Sequence, residues 1–144
     1  GSRQDIEFRL SRKLMLAARR WTNFIDEAVK AQTGQPRARW QTLFSIAFAH
    51  APLTTVQLSE RLGVQWPTLV RTLNALGADG LITRVDNPAD GRSRLVVLSA
   101  AGRAMVERIQ PILDPNRHQV VGALSDEEVL QATQLLDKIL PVPF

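Results

Sequence analysis

The chain contains no cysteine, which excludes a disulfide framework, a thiolate metal site and thiol-based oxidation sensing together. No apolar run approaches the roughly 20 residues a membrane span needs, and no apolar signal segment stands at the amino end. The expectation is a soluble, cytoplasmic protein with no membrane contact. Gly1-Ser2 reads as a remnant of tag removal, outside the fold. A glycine-rich phosphate loop is missing, and Ser45, Ser59, Ser93, Ser99 and Ser125 stand in no nucleophile motif, so nothing points to an enzyme. His50 and His118 are isolated from any metal-ligand companion. Neither a metal nor a cofactor is expected, and there is no internal repeat or low-complexity segment.

What is present suits one compact domain or one subunit of a small oligomer: 144 residues, of which 44% are hydrophobic, enough for a core. The formal charge of +4 is unevenly spread. Residues 1–20 carry six Arg/Lys against two acids, residues 61–103 six against three, and residues 104–144 three against six. A phosphate backbone is the simplest partner for the basic stretch at 61–103, with ordinary solvated faces as the alternative.

That stretch belongs to a unit running from Val56 to Ser99. Leu58, Leu62 and Val64, then Leu69, Val70, Leu73 and Leu76, recur at helical steps on both sides of Gly63, the spacing of two helices packed across a tight bend. After Gly77 and Gly80 the period changes to the strand-like runs 81–85 and 94–98, joined by a turn at Asn87–Arg92 with a basic tip. Helix-turn-helix followed by a hairpin is a winged helix. Pro67 reads as the first residue of the second helix, with Trp66 at its cap. Thr68, Arg71, Thr72 and Ala75 then face away from the leucine stripe, where Arg and Thr can donate to base edges or phosphates and Trp66 and Pro67 can touch thymine methyls.

The flanks read as helices. From Arg3 to Ala31 there is no proline or glycine, and Ile6, Leu10, Leu14, Ala17, Trp21, Phe24, Ile25 and Val29 form one stripe. A helix this long exceeds what the domain needs, so part of its apolar face is expected to meet another subunit. A second helix is predicted from Pro36 to His50, with Trp40, Leu43, Phe44, Ala47 and Phe48 inward. Leu53-Thr54-Thr55 allows a single β-bridge, and Thr54 or Thr55 can cap a helix starting at Val56. Ser99 caps a helix beginning at Ala100, in which Pro111 and Pro115 predict a break or bend near Ile112–Asn116. Ser125-Asp126-Glu127-Glu128 is a capping box opening a last helix with Val129, Ala132, Leu135, Leu136, Ile139 and Leu140 on one face, ended by Pro141 and Pro143.

The run Leu62 to Leu73, then Gly80-Leu81-Ile82, Asp90-Gly91-Arg92 and Leu98-Ser99-Ala100-Ala101-Gly102, resembles the MarR family of bacterial regulators. Leu69-Val70-Arg71-Thr72-Leu73 and Trp40 bring it nearest the SlyA-like branch. The resemblance covers nearly the whole chain. It implies a mostly α fold with a small β-hairpin, in the order helix, helix, short strand, helix, helix, strand, strand, helix, helix. This winged helix-turn-helix would be carried in a helical homodimer reading a pseudo-palindromic operator in double-stranded DNA. Residues 3–50 would serve dimerisation and the hinge, 51–99 DNA binding, and 100–144 dimerisation. Gln65, Trp66, Pro67, Thr68, Arg71 and Thr72 fall in the element that enters the major groove, and Asp90 and Arg92 in the wing that reaches the minor groove. There Asp90 could orient the Arg92 guanidinium, or the two could simply stabilise the turn. Arg94 is a phosphate contact or a second tip charge.

Two departures stand out: Gly91 replaces an arginine common among relatives, and Gln65-Trp66 replaces the commoner Ser/Thr-Arg entry, which leaves the operator open. The branch also implies a phenolic effector bound between the dimer helices and the winged helix. Trp40 and Phe44 match pocket positions and Arg19 is a candidate carboxylate partner; by spacing alone, Trp21, Trp40, Phe44 and Phe48 are core aromatics. The function expected is a homodimeric repressor relieved by a small aromatic acid. The alternative is a ligand-binding or protein-interaction module on the same scaffold that does not read DNA.

Overall fold

The computed structural model describes residues 1–140; the expected helix end at Pro141 and Pro143 lies outside the described residues. Helix α1 spans Arg3–Thr33. Ser2 is not outside the fold, because its hydroxyl accepts from the Asp5 amide while the Asp5 carboxylate accepts from the Ser2 amide, closing a capping box. Hydrogen bonds from the Gly1 ammonium, then from Ser2, hold the Asp5 carboxyl below its ordinary range. Gly34, at φ 75°, ends the helix in the left-handed conformation that only glycine adopts cheaply.

Helix α2, Arg37–Ala47, stops three residues short of the expected His50. Pro52 disfavours helical Ala51 and the chain must straighten into β1, Leu53–Thr54, so Phe48 leaves the helix and is 58% exposed rather than inward. Strand β1 makes two residue pairs with β3, Leu53↔Val96 and Thr54↔Leu95, where one bridge was expected. Thr54 then caps α3, Thr55–Leu62, in a box with Gln57. Helix α4 covers Trp66–Ala78 with Gln65 as its cap, one residue earlier than the sequence suggested. Pro67 is therefore the second helical residue, where its missing amide would still have had no partner within the helix. Strands β2 (Ile82–Asp86) and β3 (Arg94–Leu98) pair antiparallel from Ile82↔Leu98 to Asp86↔Arg94, giving the sheet order β1-β3-β2.

Helix α5 runs from Ala100 to Val121 with Pro111 and Pro115 inside it. The expected break is absent. Ile109, Ile112 and Leu113 are buried against Val29 of α1 on the helix face that spans the prolines, and that packing keeps the helix in register. The Asn116 side-chain amide also donates to the Ile112 carbonyl at 2.6 Å, inside the disturbed stretch. Helix α6, Asp126–Ile139, opens with the Ser125–Glu128 capping box. Among the described residues no helix is long and apolar enough to cross a membrane.

Two apolar clusters result. The winged helix supplies Leu58, Leu69, Leu73, Leu76, Leu81, Ile82 and Val96, and takes Leu43 from α2 and Val106 from α5. The second cluster joins Val29 to Ile109, Ile112 and Leu113. Phe44 and Met105 pack against both, which locks the winged helix to the helical frame. Gly102 marks the tightest approach: a Cβ there would lie 2.0 Å from the Leu81 carbonyl oxygen, so the first turn of α5 docks on the start of the wing only because that side chain is a hydrogen.

Candidate nucleic-acid interface

The bend between α3 and α4 is closed by local hydrogen bonds. Gly63, at φ 65°, donates its amide to the Ser59 carbonyl at 2.9 Å, and the Ser59 hydroxyl donates to the Val64 carbonyl at 2.8 Å. With α3 so anchored, Leu69, Leu73 and Leu76 hold the inner face of α4 in the core and turn its other face outward. Gln65, Trp66, Pro67, Thr68 and Arg71 are all exposed on that outer face and Thr72 is half-buried. The Thr72 hydroxyl donates to the Thr68 carbonyl at 3.1 Å, which leaves its lone pairs outward. Arg71 reaches Thr68 Oγ1 only at 3.5 Å, and no carboxylate pairs with it among the described residues. Gln65 makes no side-chain cap bond, so the first amides of α4 also remain open.

The wing, residues 87–93, is a self-bonded loop. The Asn87 amide group donates to Ser93 Oγ at 3.0 Å, and Asn87 Oδ1 accepts from the Ala89 amide at 3.0 Å. Asp90 Oδ1 accepts from the backbone amide of Arg92 at 2.9 Å. The carboxylate therefore shapes the turn and does not hold the Arg92 guanidinium, as the sequence had suggested it could. A two-residue reach within a tight turn favours the nearby amide over the end of a long side chain. Arg94 lies 3.9 Å from Asp86, both well exposed, a pairing worth little.

Between the wing and the recognition helix runs a concave groove of about 580 Å³ lined by Trp66, Arg84, Arg92 and Arg94 and by the Asp90 carboxylate of the turn, with Thr54, Thr55 and Val56 at its other edge. Trp66, 49% exposed, stands where α4 meets this groove. The sequence reading missed Arg84 and the α3 start. Arg84 shares its face of β2 with the buried Ile82 by the two-residue period, and an arginine on that face was the available signal.

Within the subunit, Trp40 and Phe44 lie together and Arg19 lies apart from them. The Trp40 indole N–H donates to Asp26 Oδ1 at 3.0 Å, and the same carboxylate pairs with Arg37, clamping α2 to α1. Phe44 meets the Trp40 ring edge-on at 5.8 Å, and both pack against the Val29 cluster. Arg19 lies elsewhere, in a shallow groove along α1 with Phe8, Arg12 and Leu16. Trp40 and Phe44 are both half-buried, packed against the Val29 cluster on one side, with the indole N–H held by the Asp26 carboxylate.

Residues 33–93 match the family model described as MarR family. Among solved structures, a MarR variant from E. coli complexed with operator DNA superposes with a TM-score of 0.82 at 27% identity, over 98% of this chain and 100% of that one. A probable transcriptional regulator from Pseudomonas aeruginosa gives 0.78 at 25% identity, over 94% and 99%. A MarR family transcriptional regulator from Streptomyces coelicolor in complex with DNA gives 0.81 at 20% identity, over 90% and 86%, a likeness of fold. The family model lies over the winged helix, and the superpositions extend through the helices on either side. The chain thus matches the MarR family over residues 33–93 and is similar in fold, over nearly its whole length, to MarR regulators.

Proposed function

We propose that this protein is a DNA-binding transcriptional regulator that grips duplex DNA as a homodimer, with α4 in the major groove and the 87–93 wing beside it. The observation that carries the reading is the pairing of an exposed α4 face, bearing Thr68 and Arg71 without a carboxylate partner, with a groove lined by three arginines. Such a surface can place donors at base edges and cations at phosphates. The MarR variant that superposes over nearly the whole chain was solved on operator DNA, which supports the same use here.

The dimer has its own support. Ile6, Leu10 and Leu14 on α1, and Val129, Leu135, Leu136 and Ile139 on α6, are exposed large hydrophobics forming stripes that none of the described residues covers. A second copy supplies that cover and brings two recognition helices to a pseudo-palindromic site, and occupancy of such a site blocks other proteins, which makes the regulator a repressor. A small aromatic carboxylate that prefers one spacing of the two reading heads would relieve it. No seat for it is assigned to Arg19, Trp40 or Phe44.

Selection of bound sequences from random duplexes, followed by titration of the winning duplex at several salt concentrations, tests the reading. A steep fall of affinity with salt and an enriched two-fold sequence are expected. Enrichment of no sequence, with salt-independent or absent binding, would favour the module that does not read DNA.

A further inference from the structure

Arg84 sits in the middle of β2, opposite Val96 of β3, and is half-buried. Its Nη2 lies 3.4 Å from Asn74 Oδ1 on α4, one helical turn beyond Arg71. That contact is at the long end of hydrogen bonding and occupies one edge of the guanidinium. No carboxylate pairs with Arg84 among the described residues, whereas Arg94, which lines the same groove, has Asp86 nearby. A guanidinium carries five donors in a planar fork, so an edge turned to Asn74 leaves another for an anion.

The arginines of the groove differ in what holds them. Arg92 stands in the loop and is exposed, and Arg94 begins its strand. Arg84 has its backbone held in the β2–β3 ladder, its side chain half-buried and one edge of its guanidinium directed at Asn74. A cation whose side chain is already restricted by half-burial loses less freedom when it meets a phosphate.

We propose that Arg84 is a phosphate-binding residue at the junction of wing and recognition helix, with one edge of its guanidinium turned to Asn74 and another free for the DNA backbone. This rests on the DNA-binding reading above and adds to it a residue neither the helix-turn-helix pattern nor the wing motif contains. A phosphate contact is indifferent to base sequence and releases a counterion. Loss of Arg84 therefore weakens specific and random duplexes alike, while loss of Asn74 alone removes no charge.

The test is the salt dependence of binding to a random duplex for the wild type, Arg84→Gln and Asn74→Ala. Arg84→Gln is expected to lower the slope of log affinity against log salt by about 0.9 per subunit. Asn74→Ala should keep the wild-type slope. A second measurement uses the unaltered protein: phenylglyoxal should modify Arg84 more slowly when random duplex is present, while Arg39, ion-paired with Asp79 behind α4, keeps its rate. A wild-type slope in Arg84→Gln, or equal labelling of Arg84 with and without duplex, would overturn the proposal and reduce Arg84 to a strut. If the wild type itself shows no salt-dependent binding, the DNA-binding reading fails first, which is a separable result.

Discussion

Leu73 in the winged helix is 0% exposed, whereas Leu135 on α6 is 60% and Leu10 on α1 is 58%. Both kinds of leucine sit on regular apolar stripes. They differ in whether the same subunit supplies the other wall. In the winged helix, α3, α4 and the sheet close around one core, with α2 and α5 as lids. In α1 before Trp21, and throughout α6, no residue is buried. One region is closed within the subunit, and the other leaves its apolar stripes uncovered by the described residues, as the proposed dimer requires.

Breaking the incomplete half should have the larger functional effect. A Leu136→Asp substitution places a charge in the α6 stripe, and the protein should sediment as a monomer at micromolar concentration. Losing the second reading head should lower operator affinity by about 10²- to 10⁴-fold. A Leu136→Asp protein that still sediments as a dimer would assign the α6 stripe some other role. Breaking the complete half should act on folding instead. Leu73→Ala removes a side chain with no exposed surface and should cost about 2–5 kcal/mol, read from denaturant unfolding in the Leu136→Asp background, where dimerisation does not intervene. A cost below about 1 kcal/mol would mean the winged core collapses around the gap or is not closed as described.

The same contrast governs what could be read in advance. Helix ends were legible wherever a cap is local: Ser99, Ser125, Thr54, Gly34 and Gly63 each act through atoms within a few residues. The recognition helix and the hairpin were legible because their apolar periods face a core made by the same stretch. Prolines 111 and 115 do not break α5, and the local cost they impose is met by the burial of Ile109, Ile112 and Leu113 against a helix some eighty residues away in the chain. Side-chain destinations were the least legible. The Asp90 carboxylate goes to a backbone amide, the Trp40 indole to Asp26, and Arg84 to Asn74, and each choice depends on which groups the fold brings within 3–3.5 Å.

Within the winged helix, the exposed face of α4 can be separated from the frame that holds it. Arg71→Ala should leave unfolding unchanged and cost about 1–3 kcal/mol in operator binding, with preference relaxed at one position in each half-site. An equal loss on operator and random duplex would instead assign Arg71 to a phosphate.

The smallest effect is expected at the cap of α6, and it probes how a helix with no buried residue is held. An isolated helix of 14 residues is marginal in water, so α6, with no buried residue of its own, depends on its ends in the absence of a covering partner. The Ser125 hydroxyl accepts from the Glu128 amide at 3.1 Å and the Glu128 carboxylate accepts from the Ser125 amide at 2.9 Å. Asp126, Glu127 and Glu128 also place negative charge at the positive end of the helix dipole, with Lys138 at the other end. Ser125→Ala leaves those charges and deletes one acceptor, so the cost should be about 1 kcal/mol. In the monomeric Leu136→Asp background that loss should appear directly as faster amide exchange along α6. In the proposed dimer, fraying of α6 competes with assembly, and about 1 kcal/mol in each of two subunits should raise the dissociation constant by up to about thirtyfold, with exchange in α4 unaffected. Unchanged exchange in the monomer would show that α6 is held by contacts within its own subunit, and the division between a closed winged helix and an open helical half would have to be redrawn.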